Sequence, residues 1–315
     1  MQSPTNMSTS SDENNDTHFP SLSLKKQSSL VQTKNNHLNC MDSDCLYHLG
    51  LCKENAEDFS QVKYVCIGGT NDRMVKFAKQ VAKTLELPES EVKSVGIHKR
   101  YVIYLVGPVL VCSHGMGGPS ISILLNEIAK LLKYAKADAC WIRMGTCGGI
   151  DVVPGTVVVS SQSLNGALEP FHETIVLGKR VQRPAVFDQQ LTESLIGKAQ
   201  EMNLDCAVGK TMCCDDFYEG QGRLDGAICE YTETDKLDFL VQAKEEGVRN
   251  IEMESLQFGA FTGMIGVRSA VICVALLNRL NGDQVTSTME ELGQFEERPM
   301  NTVLGFIKDD LQAQN

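Results

Sequence analysis

Three apolar segments of the sequence end in glycines, and two of them also carry an arginine. Residues 62–67 (VKYVCI) are followed by two glycines and by Arg73, whereas residues 139–145 (ACWIRMG) contain Arg143 and lead into Thr-Cys-Gly-Gly. Residues 109–114 (VLVCSH) lead into Gly-Met-Gly-Gly. Glycines let backbone N–H groups approach an anion, and arginine supplies a permanently charged, forked donor. The set predicts an anion site, although any one loop alone could be a tight turn with a surface arginine.

A pair of carboxylates, Glu252 and Glu254, stands at the end of another strand-like segment, residues 248–254 (VRNIEME). In a strand, side chains two residues apart lie on the same face. The pair could therefore accept hydrogen bonds from sugar hydroxyls or act as a general acid and base. Alternatively, Glu254 could stand at a helix N-terminus, where a negative charge is favourable. On these residues alone, the helix N-terminus is the favoured interpretation.

The segment 216–223 (DFYEGQGR) has the composition of a loop and is rich in aromatic and planar polar groups. Glutamine offers one acceptor and two donors, whereas arginine offers donors only. Gln221 and Arg223 could therefore read the edge of a flat heterocycle that packs against Phe217. The alternative is an ordinary surface loop.

Other motifs give no support to zinc, nucleotide-cofactor or thiol chemistry. The twelve cysteines are scattered without a C-x-x-C pair, and no G-x-x-x-x-G-K-[ST] loop occurs. Residues 220–226 (GQGRLDG) are one residue too long for a dinucleotide fingerprint and do not lead from a strand into a helix. Cys147 could be a nucleophile, but no obvious His and Asn or Asp pattern accompanies it, so we interpret it as a small spacer.

The chain of 315 residues is 42% hydrophobic and has a formal charge of -11, from 29 basic and 40 acidic residues. The acidic balance disfavours nucleic acid and anionic membranes as partners. The polar start has no signal-peptide pattern, and no uncharged apolar run is long enough to span a membrane. These features predict a cytoplasmic protein with mostly buried, reduced thiols.

Strand patterns alternate with helix patterns along most of the chain, which predicts one α/β domain around a central sheet. Residues 1–40 are polar and lack periodicity, so we expect a disordered tail followed by a single domain over residues 41–315. The patterns predict helices at residues 188–203 and after Pro299, the latter at the C-terminus.

Several long segments resemble one family. Residues 113–123 (SHGMGGPSISI), followed by Glu127, are similar to the signature of the nucleoside phosphorylase-I superfamily. Residues 216–229, 248–255 and 276–284 resemble the pattern of its animal-type uridine phosphorylases. The resemblance covers nearly all of the chain beyond the polar tail. It implies the α/β nucleoside phosphorylase-I fold, a single domain with a central mixed β-sheet flanked by helices.

The resemblance also implies an activity, the reversible phosphorolysis of uridine to uracil and ribose 1-phosphate in pyrimidine salvage. The implied phosphate ligands are Gly69, Arg73, Arg143 and Thr146, joined by the partner's Arg100. The implied ribose ligands are Thr146, Met253 and Glu254, joined by the partner's His48. The implied base site consists of Gly148, Phe217, Gln221, Arg223, Leu276, Leu277 and Val285. Arg143, Gln221, Arg223 and Glu254 would carry the catalysis.

The same resemblance implies a homodimer with shared active sites and no cofactor, because phosphate is a co-substrate. Bacterial relatives can bind potassium through an acidic residue at the position of Tyr101, so we expect no metal here. Two alternatives remain open. One is a broader pyrimidine nucleoside phosphorylase, and the other is a catalytically silent paralogue that binds nucleosides.

Overall fold

A mixed β-sheet of nine strands runs through the computed structural model, which describes residues 30–96 and 100–314. The strands are β1 (Cys45–Leu46), β2 (Leu51–Cys52), β3 (Tyr64–Gly68), β4 (Val92–Ser94), β5 (Ile103–Val106), β6 (Val109–Ser113), β7 (Cys140–Gly149), β8 (Val157–Leu164), β9 (Phe171–Val176), β10 (Lys179–Pro184), β11 (Cys206–Cys213), β12 (Val248–Glu252) and β13 (Ser269–Asn278). The α-helices are α1 (Asn71–Thr84), α2 (Gly118–Ala135), α3 (Gln189–Glu201), α4 (Glu233–Glu245), α5 (Ser255–Ile265) and α6 (Met289–Ala313).

The strand order in the large sheet is β12-β11-β8-β13-β7-β3-β6-β5-β4. Strands β6, β3, β7 and β13 are parallel neighbours, whereas β8 runs antiparallel to β13. The end of β7 also pairs with β12, where Gly148 faces Ile251, so five strands close on themselves. A β-carbon at Gly148 would lie 2.9 Å from the side chain of Arg279, which leaves room for glycine only. This closure brings the carboxyl ends of β3, β6, β7 and β12 together, and the predicted single domain with a central mixed sheet is confirmed.

Helices cover both faces of the sheet because its central strands are apolar on both sides. In β7, Trp141 packs into a buried cluster with side chains of α2 and α5, including Phe258. The next residue, Ile142, packs on the opposite face with side chains of α1, α3 and α6, including Phe77. The strand ends are therefore held between two packed layers.

Local sequence signals mark the starts of α2 and α6, and the second of these was not predicted. Helix α2 begins after Gly117, whose φ of 81° favours glycine, and has Pro119 in its first turn. Helix α6 begins at Met289, well before Pro299, because Thr288 and Glu291 form a capping box at its N-terminus. The helix continues through Pro299, so the prediction of a helix that follows this proline is wrong.

Two other parts of the chain differ from the sequence prediction. The hairpin β9–β10 was not predicted, because its strands are largely exposed and its turn is Leu177-Gly178 rather than a typical Asn-Gly pair. The predicted disorder of residues 30–40 is wrong: Gln32 donates to the Ile265 carbonyl at 2.8 Å, and Leu38 is buried. The remainder of the predicted tail, residues 1–29, lies outside the described residues.

Candidate active site

A cavity of about 450 Å³ lies where the strand ends meet. Thirteen side chains or glycines that the sequence analysis selected line it: Gly69, Arg73, Arg143, Thr146, Gly148, Phe217, Gln221, Arg223, Met253, Glu254, Leu276, Leu277 and Val285. They come from the ends of β3, β7, β12 and β13 and from the loop before α4. The fold thus brings together residues that are far apart in the sequence: Gly69 and Val285 are separated by 216 positions.

At one end of the cavity, Arg143 on β7 forms a buried ion triad with two carboxylates. Its Nη1 lies 2.8 Å from Glu252 Oε2, and its Nη2 contacts Glu254 Oε2. Nη1 also donates to the thiol of Cys273 at 3.5 Å. Although burial acts against ionisation, the negative charges of Glu252 and Glu254 raise the pKa of Arg143. The charge of Arg143 is therefore compensated by two carboxylates of the same chain.

The two carboxylates have different roles in the structure. Glu252 ends β12 and accepts hydrogen bonds from the N–H groups of Glu254 and Ser255, at 3.0 Å each, at the N-terminus of α5. Glu254 accepts from the N–H of Gly117 at 2.6 Å and faces the cavity. Burial pushes the pKa of Glu254 upward, but the charge of Arg143 and the hydrogen bonds from Gly117 and Arg143 together hold this pKa below its ordinary value. Glu254 is therefore an ionised acceptor. It also directly precedes α5, so the helix N-terminus considered as an alternative is observed, although the side chain that accepts from the first N–H groups is that of Glu252.

The glycine loop after β3 forms the floor beside this triad. Gly69 and Thr70 precede α1, which presents Arg73 from its first turn. Arg73 Nη2 donates to Glu296 on α6 at 2.7 Å, which fixes the guanidinium at the cavity edge. A helix N-terminus, glycine N–H groups and two arginines together suit a phosphate.

At the other end, a network of charged groups holds Arg223. Its Nε and Nη2 donate to the two oxygens of Asp225 at 2.9 and 2.8 Å, and Nη2 also donates to the Asp283 carbonyl at 2.6 Å. Its guanidinium lies 4.5 Å from the ring centroid of Phe217. Hydrogen bonding to Asp225 raises the pKa of Arg223. The side chain is fixed in plane and stacked on an aromatic ring.

The carboxylate of Asp283 connects this network to the rest of the fold. It accepts from Lys236 Nζ at 2.8 Å, from Arg279 Nε at 3.0 Å and from the N–H of Leu224 at 2.9 Å. Arg279 in turn donates to the Gln221 carbonyl at 2.8 Å. The loop that carries Gln221 and Arg223 is therefore positioned by a buried network of charged side chains.

The charges that line the cavity cancel formally. Four arginines are matched by four carboxylates: Arg73, Arg143, Arg223 and Arg279 by Asp225, Glu252, Glu254 and Asp283. A phosphate dianion would add negative charge to a neutral lining. One chain alone therefore provides little net attraction for phosphate.

Two predicted site residues are not brought to this cavity. His48 lies in the turn between β1 and β2, where its Nδ1 lies 2.6 Å from Glu127 Oε1. Arg100 lies in an exposed turn next to residues 97–99, which are outside the described part of the chain. Neither lines the cavity of its own chain.

The structure adds residues that the sequence analysis did not select. Arg279 and Asp283 follow β13 four positions apart, a spacing that allows an ion pair in a helical turn and could have been noticed. His114 lines the cavity at the end of β6. Cys147 is buried, and burial raises the pKa of its thiol, which agrees with a spacer rather than a nucleophile.

The described residues contain neither a metal-binding cluster nor a membrane-spanning helix. Within residues 30–96 and 100–314, no three His, Cys, Asp or Glu side chains are grouped so that they could hold a metal ion. None of the helices described in those ranges combines the length and apolar character needed to cross a bilayer.

Comparison with known proteins gives concordant matches. The family model described as "Phosphorylase superfamily" matches residues 63–309. Uridine phosphorylase 1 of Mus musculus is 45% identical, covering 89% of this chain and 93% of the relative. Uridine and thymidine phosphorylase of Caenorhabditis elegans is 44% identical, covering 88% and 95%. Inactive uridine phosphorylase B of Schistosoma mansoni is 38% identical, covering 87% and 95%. The crystal structure of Schistosoma mansoni uridine phosphorylase with uracil has a TM-score of 0.83 at 40% identity, covering 87% and 98%.

Proposed function

Because the chain belongs to the uridine phosphorylase family of the phosphorylase superfamily, we propose that it catalyses the reversible phosphorolysis of uridine to uracil and ribose 1-phosphate. The observation that carries this proposal is the cavity with two chemically different ends. One end offers Gly69, Arg73 and Arg143, which suit a phosphate, and the other offers Gln221 and Arg223, which suit a pyrimidine edge. Ionised Glu254 contacts Arg143 at the first end and suits a ribose hydroxyl.

Phosphate is the nucleophile in this scheme, so paired catalytic carboxylates are not required. Glycosidic cleavage passes through a state with positive charge on the sugar ring. Arg73, Arg143, Thr146 and the N–H of Gly69 hold the phosphate below the ribose. Arg143 also contacts Glu254, and this shared contact fixes the distance between the phosphate site and the ribose site.

The leaving uracil gains negative charge as its bond to ribose breaks. Nε and Nη2 of Arg223 are engaged by Asp225 and Asp283, so Nη1 is the donor that we assign to a uracil oxygen. Gln221 supplies the amide that pairs with the remaining edge of the ring. Donors held in place before the reaction stabilise developing charge efficiently. Phe217, Leu276, Leu277 and Val285, with Gly148, enclose the base, and Met253 packs against the ribose with Thr146.

The active site is completed by a second copy of the chain. The formal charges of the lining cancel, so a bound phosphate dianion calls for a further cation, and we assign the partner's Arg100 to that role. The partner's His48 contributes to the ribose site. In a two-fold dimer each subunit gives the same residues to the other. We therefore propose a homodimer with two shared sites.

Mixed dimers test the shared site. Arg100→Ala and Gln221→Leu each inactivate a homodimer, whereas a mixed dimer has one site with both changes and one intact site. Refolding equal amounts together should recover about one quarter of the parent activity, because random pairing makes about half of the dimers mixed. Mixed dimers that form without activity would place Arg100 outside the partner's site. Gln221→Leu is preferred to Arg143→Ala, which would also leave two buried carboxylates unpaired.

The remaining assignments follow from the same chemistry. The reaction needs phosphate as co-substrate and no cofactor or metal. We propose a cytoplasmic enzyme of pyrimidine salvage whose partners are small molecules and a second copy, without nucleic acid or membrane. For the domain organisation we propose the expected tail and one nucleoside phosphorylase domain over residues 41–315, to which residues 30–40 are added because Gln32 donates to the Ile265 carbonyl and Leu38 is buried.

Two relatives suggest competing functions. The Caenorhabditis elegans relative is named for thymidine as well as uridine, which favours a broader pyrimidine phosphorylase as second candidate. The inactive Schistosoma mansoni relative makes a catalytically silent, nucleoside-binding paralogue the third candidate. Against silence, Arg73, Arg143, Gln221 and Arg223 all line the cavity.

One assay separates the three functions. Uridine, thymidine and inosine are each incubated with and without phosphate, and base release is measured. We expect phosphate-dependent cleavage of uridine and very poor cleavage of inosine, because the buried polar groups of the base site would stay unpaired with a purine. Equal cleavage of thymidine would favour the broader enzyme. Absence of cleavage of all three would favour the silent paralogue.

A further inference from the structure

His114 occupies the wall of the cavity between the glycine loop and the ion triad. It directly follows β6, and its backbone is fixed on both sides: its N–H donates to the Gly68 carbonyl at 2.7 Å, and its carbonyl accepts from Ser120 Oγ at 2.6 Å. Only 1% of the residue is exposed. A β-carbon built on Gly69 would lie 3.9 Å from Cε1 of its ring, so the imidazole lies against the glycine loop.

The ring nitrogens of His114 are buried and have no hydrogen-bond partner among the residues that the structure describes. Burial, reinforced by the positive charge of Arg143, lowers the pKa of His114 to about 3. The imidazole is therefore neutral at physiological pH and has one N–H donor and one acceptor. A buried polar group without a partner costs stability, whereas an apolar side chain of similar size would not. The fold therefore tolerates a cost at this position that a ligand would remove.

We propose that His114 is a further phosphate-binding residue, whose imidazole N–H donates to an oxygen of the bound phosphate. This inference rests on the proposed function of the cavity. The neighbours favour phosphate over ribose: the glycine loop and the charges of Arg73 and Arg143 all act on His114. Phosphate dianion offers acceptors only, which matches the donor of a neutral ring.

A neutral donor suits a phosphate that must react. Once the partner's Arg100 has completed the cationic groups, one more cation at the position of His114 would hold the ground-state dianion more tightly and would oppose its transfer to the sugar. The N–H of His114 instead orients one oxygen without adding charge beside Arg143. The arginines attract the phosphate dianion, and His114 orients it.

The test compares His114→Leu, His114→Gln and the matched control His172→Leu, in the full chain. His172 is a partly buried histidine on β9 that does not line this cavity. The measurements are the KM for inorganic phosphate, the KM for uridine and the thermal midpoint with and without phosphate. A lost hydrogen bond of ordinary strength should raise the phosphate KM of His114→Leu about tenfold. The uridine KM should stay within about twofold, and the midpoint without phosphate should be equal or higher.

His114→Gln keeps an amide donor and should restore most of the phosphate affinity, whereas His172→Leu should leave both KM values unchanged. A lower midpoint with an unchanged phosphate KM would make His114 a packing residue and overturn the proposal. A rise in the uridine KM alone would also overturn it, in favour of a ribose contact. A parent protein whose midpoint rises with phosphate but which does not cleave uridine would contradict the proposed function and leave the phosphate test intact.

Discussion

The two ends of the cavity are built in different ways. The phosphate end consists of backbone and side chains at the carboxyl ends of β3, β6, β7 and β12, and its central charge, Arg143, is 2% exposed. At the base end, the polar side chains and Phe217 come from loops after β11 and β13, although Leu276 and Leu277 belong to β13 itself, and Phe217 is 45% exposed. Strands fix the first end directly. Loops are fixed at the second end by Asp283, which connects Lys236 and Arg279.

This difference predicts how function and stability are coupled at each end. At the phosphate end, the groups proposed to bind substrate also neutralise one another, as Arg143, Glu252 and Glu254 do. At the base end, the loop is held by charges other than those of Gln221 and Arg223. The side chains proposed to bind the base can therefore change while these stabilising contacts remain. Substitutions should therefore damage folding and activity together at one end and separately at the other.

The largest effect is expected for Arg143→Ala. It leaves Glu252 and Glu254 buried without their partner, which should cost about 3–5 kcal/mol in the free energy of unfolding. It also removes a preorganised donor, which should lower kcat/KM by about a thousandfold or more. Urea unfolding and uridine kinetics measure both quantities. Arg73→Ala is the control, since the side chain of its partner Glu296 is 35% exposed and stays solvated, and it should lose activity with little change in stability.

The second prediction concerns Gln221→Leu at the base end. We expect kcat/KM for uridine to fall about 10²- to 10³-fold, because a donor to the leaving base is lost. The free energy of unfolding should change by less than about 1 kcal/mol, because leucine fills the space and no buried charge is left unpaired. If this variant unfolds as readily as Arg143→Ala, the two ends are coupled to folding alike and the comparison fails.

The third prediction uses pH to examine the phosphate end. The pKa of His114 is lowered to about 3, with Arg143, Glu254 and Arg73 as its charged neighbours. The unfolded chain therefore binds a proton on this residue between pH 6.5 and 3, and the folded chain does not, so stability falls as the pH falls through this window. Between pH 6.5 and 5.5 the loss should be about 1 kcal/mol larger in the parent than in His114→Gln. Equal slopes in urea unfolding would contradict a buried neutral His114.

The smallest effect is expected for Phe217→Leu. This change removes the ring on which the Arg223 guanidinium stacks, an interaction of about 0.5–1 kcal/mol at an exposed site. The uridine KM should rise about two- to fivefold, and the phosphate KM should not change. A change in the phosphate KM would show that the ends are not independent.

The phosphate end was largely predictable from the sequence, because strand residues and strand ends carry local signals. Residues 62–67 and 139–145 were predicted as strands and are observed at Tyr64–Gly68 and Cys140–Gly149. The pairing of Arg143 with Glu252 and Glu254 was not predictable. It depends on the return of β12 to the end of β7, which is a long-range pairing without a local pattern.

At the base end, individual residues were selected from the sequence but the contacts that position them were not. Gln221, Arg223 and Phe217 were selected from their side-chain chemistry, and the resemblance gave them a role. The supporting pair of Asp283 and Lys236 was missed, because the two residues are 47 positions apart and each alone is typical of a surface. The hairpin β9–β10 was missed because its strands have only a weak sequence signal. The capping box at Thr288 was missed because Pro299 was interpreted as the point before the helix start.

The most direct test of the central claim identifies the sugar product. Uridine is incubated with the protein and phosphate, and uracil, ribose 1-phosphate and free ribose are quantified together. If phosphate bound at the Arg143 end attacks the sugar while the base leaves at the Gln221 end, uracil and ribose 1-phosphate appear in equal amounts. Omission of phosphate should then stop the release of uracil. Free ribose in place of ribose 1-phosphate, or uracil release that is independent of phosphate, would contradict the account.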